Sequence, residues 1–238
     1  MTTASPPAAE QTNFDAIAGI YDSVFPAHII EHYLQRRANY VLRHAARVGQ
    51  TALDVGAGTG LLAERLHDSG LTVVALDPFP EMLGQLQRRQ PDIETVVAHG
   101  DDIPFPDDAF DLTYSVAVMH HIAEPGLVAR TLGEMVRVTR PGGRILVWDH
   151  NPLNRYWTLL MRRVPQDNGA ERLVPMPELV TGLEAAGAEV VRAERSGLIP
   201  DFVPRRLLAP AAMGERVVES TPGLRRFCAH NVVLAIKK

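Results

Sequence analysis

The sequence of 238 residues predicts an α/β protein built on a doubly wound, mostly parallel sheet. Apolar runs of strand length alternate with segments of helical periodicity, which is typical of a parallel sheet covered by helices. A glycine-rich turn at residues 56–60 directly follows the apolar run 52–55. Acidic residues, Asp77 and Asp101, follow two later strands, at the sheet edge where such folds bind ligands.

The predicted elements alternate in order along the chain. Two helices at 13–24 and 27–47 come first, and we expect them to cover the sheet. The predicted strands, chosen for their β-branched and apolar runs, are 51–55, 72–76, 94–98, 110–116, 144–148, 188–194 and 231–236. The predicted helices between them are 60–69, 79–89, 125–138 and 177–186. The last strand is expected to pair antiparallel, as the final hairpin partner.

Proline and glycine mark several of these boundaries. The helix at 125–138 stops before Pro141-Gly142-Gly143, and the helix at 177–186 ends at Gly187. An amphipathic piece follows Pro152, at residues 156–161. Residues 197–225 are apolar and rich in proline without clean periodicity, so no element is predicted there.

Composition excludes several classes of protein. A hydrophobic content of 46% and a charged content of 22% are ordinary for a globular protein. With a net charge of −4, the chain lacks the excess of basic residues that is typical of nucleic-acid-binding proteins. The lone Cys228 indicates a reducing compartment, and no apolar run approaches the ~20 residues of a membrane span. Because a signal-peptide pattern is also missing, we expect a cytoplasmic protein.

The spacing of the glycines limits which class of ligand the turn can bind. Its pattern is G-x-G-x-G, and Leu61 stands where the dinucleotide fingerprint needs a small residue. The phosphate-loop pattern fails as well, since no Lys-Ser or Lys-Thr pair follows. Asp54 precedes the first glycine by two residues, where a carboxylate suits a cationic ligand and would repel a pyrophosphate.

This turn resembles the first motif of class I S-adenosylmethionine (SAM)-dependent methyltransferases. The resemblance implies a Rossmann-like fold in which the turn lies against the amino-acid end of SAM, with the acid orienting its charged groups. The residues assigned to the cofactor in this motif are Asp54, Gly56, Ala57, Gly58 and Gly60. A glycine-rich turn without a ligand is the alternative.

The acid after the second strand, Asp77, can accept two hydrogen bonds from ribose hydroxyls, or it can cap the helix that begins after Pro78. Both residues are assigned to the cofactor site. One turn later, Met82 is placed to pack on adenine or, equally well, in the core.

Residues 100–111 match the family pattern G-D-x-x-x-P-F-x-D-x-x-F-D with one residue fewer before the Pro-Phe pair. By resemblance, Asp101 accepts a hydrogen bond from the adenine amino group, with Asp102 and Ile103 beside the ring. The shortened spacing leaves the choice between the two acids open.

The fourth predicted strand ends at Val116, and His120 and His121 follow it. In this family that exit forms a wall between SAM and acceptor, so Val116 is assigned to the cofactor. Either histidine can act as a general base, since imidazole titrates near neutrality, or both can be scaffold. The next strand ends in Asp149 and His150, which can reach the same cavity mouth or simply form a turn.

The run 14–22 matches F-D-x-I-A-x-x-Y-D, which resembles the small-molecule and quinone-modifying branch of the family. There this segment closes over the cofactor, and the tyrosine, here Tyr21, reaches its carboxylate. An amphipathic cover helix with Tyr21 in the core is the alternative.

The resemblance implies methyl transfer from SAM to a small, largely apolar acceptor at O, N or C. A SAM-binding fold used for a non-methylating reaction such as a cyclisation, or a non-catalytic binding module, is the alternative. The predicted organisation is a disordered leader (1–12) and one domain (13–238), with cover helices at 13–47 and an acceptor-binding lid at 151–225. No metal is predicted, and a homodimer is possible.

Overall fold

The computed structural model describes residues 12–122, 124–167 and 171–238. Within these ranges seven strands form one sheet in the order β3-β2-β1-β4-β5-β7-β6. The strands are β1 (Thr51–Val55), β2 (Thr72–Asp77), β3 (Glu94–Val97), β4 (Phe110–Val116), β5 (Thr139–His150), β6 (Ala188–Ser196) and β7 (His230–Lys237). The predicted leader lies outside the described residues except for residue 12.

Strands β1 to β5 pair in parallel, whereas β7 pairs antiparallel with both β5 and β6. The doubly wound sheet with an antiparallel last strand is therefore confirmed. The strand order reverses between β1 and β4, which lie side by side with Asp54 opposite Tyr114. Such a reversal opens a crevice beyond the carboxyl ends of the strands.

Helices cover both faces of the sheet. They are α1 (Ala27–Tyr40), α2 (Leu61–Asp68), α3 (Pro80–Arg89), α4 (Pro125–Val138), α5 (Tyr156–Leu160), α6 (Met176–Ala185) and α7 (Leu208–Ser220). Side chains alternate between two cores: Leu146 and Trp148 of β5 join the core under α1 to α3, and Ile145 and Val147 join the core under α4 and α6. Burial on both sides explains the continuous apolar runs of these strands. None of the helices in the described ranges is long and apolar enough to cross a bilayer.

Three local expectations are wrong. Residues 13–24 form two short 3₁₀ turns, Phe14–Ile17 and Tyr21–Ser23, rather than a helix. Asp15 and Asp22 use their carboxylates to accept hydrogen bonds from the Glu81 amide (2.9 Å) and the Thr59 hydroxyl (2.6 Å), so each turn is tied to a neighbouring element.

The other two differences concern β5 and α7. Strand β5 begins at Thr139 rather than at residue 144. The Pro-Gly-Gly segment lies inside the strand, where the register of its pairing with β4 shifts. Helix α7 lies in the stretch 197–225 for which no element was predicted.

A buried carboxylate, Glu215, holds α7 on the fold. Its side chain accepts hydrogen bonds from His32 (3.0 Å) and the Leu198 amide (2.7 Å) and forms an ion pair with Arg36 (2.9 Å). Burial alone raises the pKa of Glu215, but His32 and Arg36 outweigh it and hold the pKa below its ordinary value.

Replacing Glu215 by alanine is expected to lower the free energy of unfolding by about 1–3 kcal/mol, because His32 and the buried Leu198 amide lose their acceptor while Arg36 keeps Glu219. The lowered pKa means that the charge of Glu215 stabilises the fold fully above pH ~4.3 and progressively less as pH falls through the folded-state pKa. Urea unfolding of the wild type, Glu215→Ala and Glu215→Gln at pH 7 and pH 4 measures both effects. An alanine variant as stable as the wild type at pH 7 would contradict this role.

Candidate active site

A cavity of about 1320 Å³ opens at the carboxyl ends of β1, β2 and β4. Its floor is formed by the loops that leave these strands, at residues 54–59, 77–79 and 116–118. Helix α1 and the turns before it close one side, and residues 153–167 and 198–201 close the other. The reversal of strand order therefore produces a site large enough for two small molecules side by side.

The glycine-rich turn forms the tightest part of this floor. Gly56 has a φ of +78°, and a Cβ at this position would overlap the Val118 side chain. Glycine is thus required both by the backbone conformation and by the close approach. The Gly58 amide donates a hydrogen bond to the Asp77 carboxylate (2.8 Å), which ties the turn after β1 to the end of β2.

Two carboxylates, Asp54 and Asp77, lie buried beside this turn. Burial raises the pKa of Asp54 to about 8, against a lowering by Tyr114 and with a further increase from Asp77. Asp77 accepts one hydrogen bond on each oxygen, from the amides of Gly58 and Phe79, and burial nevertheless raises its pKa. Each of its oxygens retains a lone pair for a further donor.

Tyr21 and Arg37 face the cavity from the covering segments. Burial raises the pKa of Tyr21 to about 12, so its hydroxyl keeps its proton. Burial lowers the pKa of Arg37, and its guanidinium forms no ion pair with any carboxylate in the described part of the chain. A buried guanidinium without an acid is costly unless a ligand supplies the anion.

The remaining predicted cofactor residues divide between the cavity and the core. Ala57, Pro78, Met82, Asp101, Asp102 and Val116 line the cavity. Met82 also packs with Phe14 in a small buried cluster, as its predicted core role requires, and its contact with adenine stays a prediction. Gly60 and Ile103 do not line the cavity: Gly60 is buried against Leu86 of α3, and the Ile103 side chain is buried in the core under α4, so their assignment to the cofactor stays a prediction.

His120, which lines the cavity, forms a buried pair with Asp149. The Nδ1 of His120 lies 2.9 Å from the Asp149 carboxylate, which also accepts hydrogen bonds from the amides of Val118 (3.0 Å), Met119 (2.7 Å) and His150 (2.6 Å). Burial opposes charge on both groups, but their mutual attraction raises the pKa of His120 and lowers that of Asp149.

The backbone reaches this arrangement through a left-handed residue. Ala117, directly after β4, has a φ of +59° and donates its amide to the Trp148 carbonyl (2.8 Å). Such a conformation is uncommon outside glycine, and it turns the amides of Val118 and Met119 toward Asp149.

Further rings extend from His120 into the cavity. His150 stacks on His120 at 4.0 Å between centroids, and Trp157 stacks on His150 at 3.6 Å. Burial and the neighbouring imidazoles lower the pKa of His121 and of His150 far below the ordinary value, and burial with the charge of Arg37 lowers that of His230 to about 3. Of these imidazoles only His120 has a raised pKa.

Comparison with known proteins identifies the family. The family model described as a methyltransferase domain matches residues 53–147. A protein of Mycobacterium tuberculosis, named an uncharacterised methyltransferase, is 30% identical over 226 residues, covering 94% of this chain and 88% of that protein. The chain belongs to the class I SAM-dependent methyltransferases.

Two further comparisons agree with this methyltransferase identity. A demethylmenaquinone methyltransferase of Paenarthrobacter aurescens is 36% identical over 160 residues, which make up 65% of this chain and 62% of that protein. The crystal structure of a SAM-dependent methyltransferase of Thermotoga maritima, described as a possible histamine N-methyltransferase, has a TM-score of 0.72 at 18% identity, covering 94% and 98% of the two chains. The second likeness shows the fold.

The cavity fits SAM, the methyl donor of the family. SAM combines a carboxylate, an ammonium, a sulfonium, ribose hydroxyls and adenine. Arg37 is a half-buried cation with no carboxylate partner among the described residues, and Asp54 is a buried acid whose raised pKa a nearby cation would lower. Asp77 has acceptor capacity left for hydroxyls. Gly56 leaves the space beside them open.

Sequence reasoning missed part of the site. It assigned no role to Arg37 or His230, and it left Asp149 as one of two interpretations. Arg37 is one turn from Tyr33 on the apolar face of α1, and a cation on such a face is the signal that would have found it. His230 had no local signal, because β7 reaches the site only through its pairing with β5.

Two groups of side chains near His120 have the composition of a metal site. They are His120 with Asp149 and His150, and His120 with His121 and Asp167. The ligand atoms within each group lie within 4.8 Å of one another. In the first group the rings of His120 and His150 are stacked, so their nitrogens lie side by side rather than converging on one point. The second group, two imidazoles and a carboxylate, has donors suited to a transition metal.

Proposed function

We propose that this methyltransferase acts on the hydroxyl-bearing ring of a small, largely apolar aromatic acceptor, with His120 as the general base. The observation that carries this proposal is the buried His120–Asp149 pair, whose imidazole lines the cavity. Imidazole held by a buried carboxylate is suited to taking a proton from a phenolic hydroxyl. An aromatic amine, which is neutral at pH 7, would need no such base.

His120 donates its Nδ1 proton to Asp149, which fixes the tautomer and leaves Nε2 to accept a proton. When the acceptor hydroxyl gives its proton to Nε2, the imidazolium is stabilised by the Asp149 charge. The remaining phenolate is nucleophilic at its oxygen and at ring carbons, so either atom can be methylated. Bound SAM supplies a methyl group already activated on a sulfonium.

The other cavity residues position the acceptor and exclude water. The stacked rings of His150 and Trp157 offer a flat surface for an aromatic ring, and Ile29 and Leu160 add apolar walls. His121 and His150, with strongly lowered pKa values, stay neutral beside His120. Such positioning accounts for much of the rate in a displacement reaction.

Relatives support the same acceptor class. The relative from Paenarthrobacter aurescens is named for demethylmenaquinone, a quinone whose reduced form bears ring hydroxyls. We extend that class to this chain, with residues 151–225 as the lid over the acceptor and 13–47 as the cover over SAM. Placement in the cytoplasm belongs to the same proposal, and the buried, unpaired Cys228 agrees with a reducing compartment.

The test is transfer of labelled methyl from SAM to a matched panel of acceptors. We expect label on naphthoquinols and on phenols with apolar substituents, and none on amines of the same shape. NMR of the product identifies the methylated atom. Label on the amines alone would contradict the proposal, and conversion of an acceptor without label would support the non-methylating alternative.

A further inference from the structure

Helix α7 points its large apolar side chains outward and its acid inward. Met213 is 69% exposed and Val217 is 61% exposed, whereas Glu215 between them is 1% exposed. A helix that packs on a protein core normally shows the reverse pattern. The outer side of α7 therefore presents apolar surface that the described chain leaves in water.

The 3₁₀ turns on both sides of α7, Arg205–Leu207 and Arg225–Phe227, pack against it and extend this surface. We call the combined surface the α7 face. Its exposed apolar members are Phe202, Leu207, Met213, Val217, Leu224 and Phe227. Large apolar side chains exposed together on adjoining elements are typical of a binding surface.

The charge of the α7 face is of one sign. Its exposed arginines are Arg205, Arg206, Arg216, Arg225 and Arg226. The acids between residues 202 and 227 are Glu215 and Glu219, and both pair with Arg36 on the inner side of the helix. The face is thus cationic on a chain whose net charge is −4.

The α7 face borders the mouth of the active-site cavity. Phe227 belongs to both the face and the cavity lining, and the Phe202 ring packs at 6.0 Å from the ring of Tyr156, another lining residue. A molecule held against this face therefore lies next to the entrance.

We propose that the α7 face docks on the surface of an anionic lipid bilayer, from which the acceptor enters the cavity. Arginines interspersed with large apolar side chains are suited to lipid headgroups and the acyl boundary beneath them. A second copy of the chain fits less well. A two-fold symmetric contact through this face would place the five arginines of one copy against the same five of the other, and the like charges would repel. Entry of a lipid-soluble acceptor rests on the proposed function, whereas docking itself does not.

The test is co-sedimentation of the full chain with vesicles of phosphatidylcholine, alone or with phosphatidylglycerol. We expect binding to the anionic vesicles that weakens as salt is raised. Removing two arginines in Arg206→Gln/Arg216→Gln should weaken this binding about 30-fold, at about 1 kcal/mol for each arginine. Met213→Asp/Val217→Asp should weaken it at least as much. Val48→Asp changes an apolar residue that is 73% exposed elsewhere, and it should bind like the wild type.

Equal binding to neutral and anionic vesicles, or binding to neither, would overturn the proposal. A dimer seen by sedimentation and abolished by Met213→Asp/Val217→Asp would assign the face to a second copy instead. Methyl transfer to a water-soluble phenol, measured on the same variants, keeps the two proposals apart. Vesicle binding without any methyl transfer would contradict only the proposed acceptor class. Unaltered methyl transfer without vesicle binding would contradict only the proposed docking on a bilayer.

Discussion

Replacing His120 by glutamine is expected to lower kcat on a phenolic acceptor by about 10²- to 10⁴-fold, the usual contribution of a general base. Glutamine can still donate a hydrogen bond to Asp149, so the loop after β4 keeps its anchor. SAM affinity, measured by calorimetry, should stay unchanged because the proposed role of His120 is to take a proton from the acceptor rather than to hold the cofactor. A variant with wild-type kcat would leave positioning of the acceptor as the source of rate.

The pH dependence gives this prediction a second readout. The base form of His120 is active, and Asp149 helps to raise its pKa, so kcat/KM should rise as pH increases through a value above 6.5. In Asp149→Asn the carboxylate charge is lost and this rise should move to lower pH. A purely structural effect of Asp149 would lower kcat/KM without moving the profile.

Two controls separate the base from its neighbours. His121→Gln changes an adjacent imidazole whose pKa is already far below neutrality, and we expect a small effect on kcat. Activity in EDTA tests the second metal-like group, His120, His121 and Asp167. Activity lost on chelation and restored by Zn²⁺ or Mn²⁺ would make His120 a metal ligand rather than a base.

The parts of the fold predicted well are those determined by local pattern. Strand β1 was located to the residue because its apolar run lies between Gly49 and Gly56, and β4 because its apolar run follows the turn residues after Pro106. Asp54, Gly56 and Asp77 line the cavity, as expected for residues at the carboxyl ends of parallel strands. Their assignment to SAM rests also on the resemblance of the glycine-rich turn and stays a prediction.

The parts that were missed depend on contacts distant in sequence. Helix α7 carries apolar residues on its outer side and pairs Glu215 with Arg36, which is 179 positions away, so the usual amphipathic pattern is inverted. The His120–Asp149 pair depends on the left-handed backbone at Ala117. Because this residue is not a glycine, the sequence did not indicate a turn there. Gly60 fits the glycine pattern of the turn, but it packs against the Leu86 side chain and does not line the cavity.

Replacing Arg37 by methionine is expected to weaken SAM binding about 100-fold. The guanidinium is the buried cation that would hold the cofactor carboxylate, and charge-assisted hydrogen bonds contribute ~1.5–3 kcal/mol. Methionine keeps the apolar stem and removes a buried charge that has no acid partner among the described residues, so the apoprotein should be as stable as the wild type or more stable. Loss of binding together with unimpaired thermal stability distinguishes this result from misfolding.

Methylthioadenosine supplies the decisive comparison, because it contains the adenosine and the thioether but no amino acid. Its affinity should be unchanged in Arg37→Met, whereas Asp77→Ala should weaken methylthioadenosine and SAM alike, since the ribose is common to both. Arg37→Lys retains the charge without the planar fork and should bind SAM with intermediate affinity. If Arg37→Met weakened both ligands equally, the guanidinium would be acting on the shape of the cavity, and the carboxylate would have to be held by another group such as Tyr21.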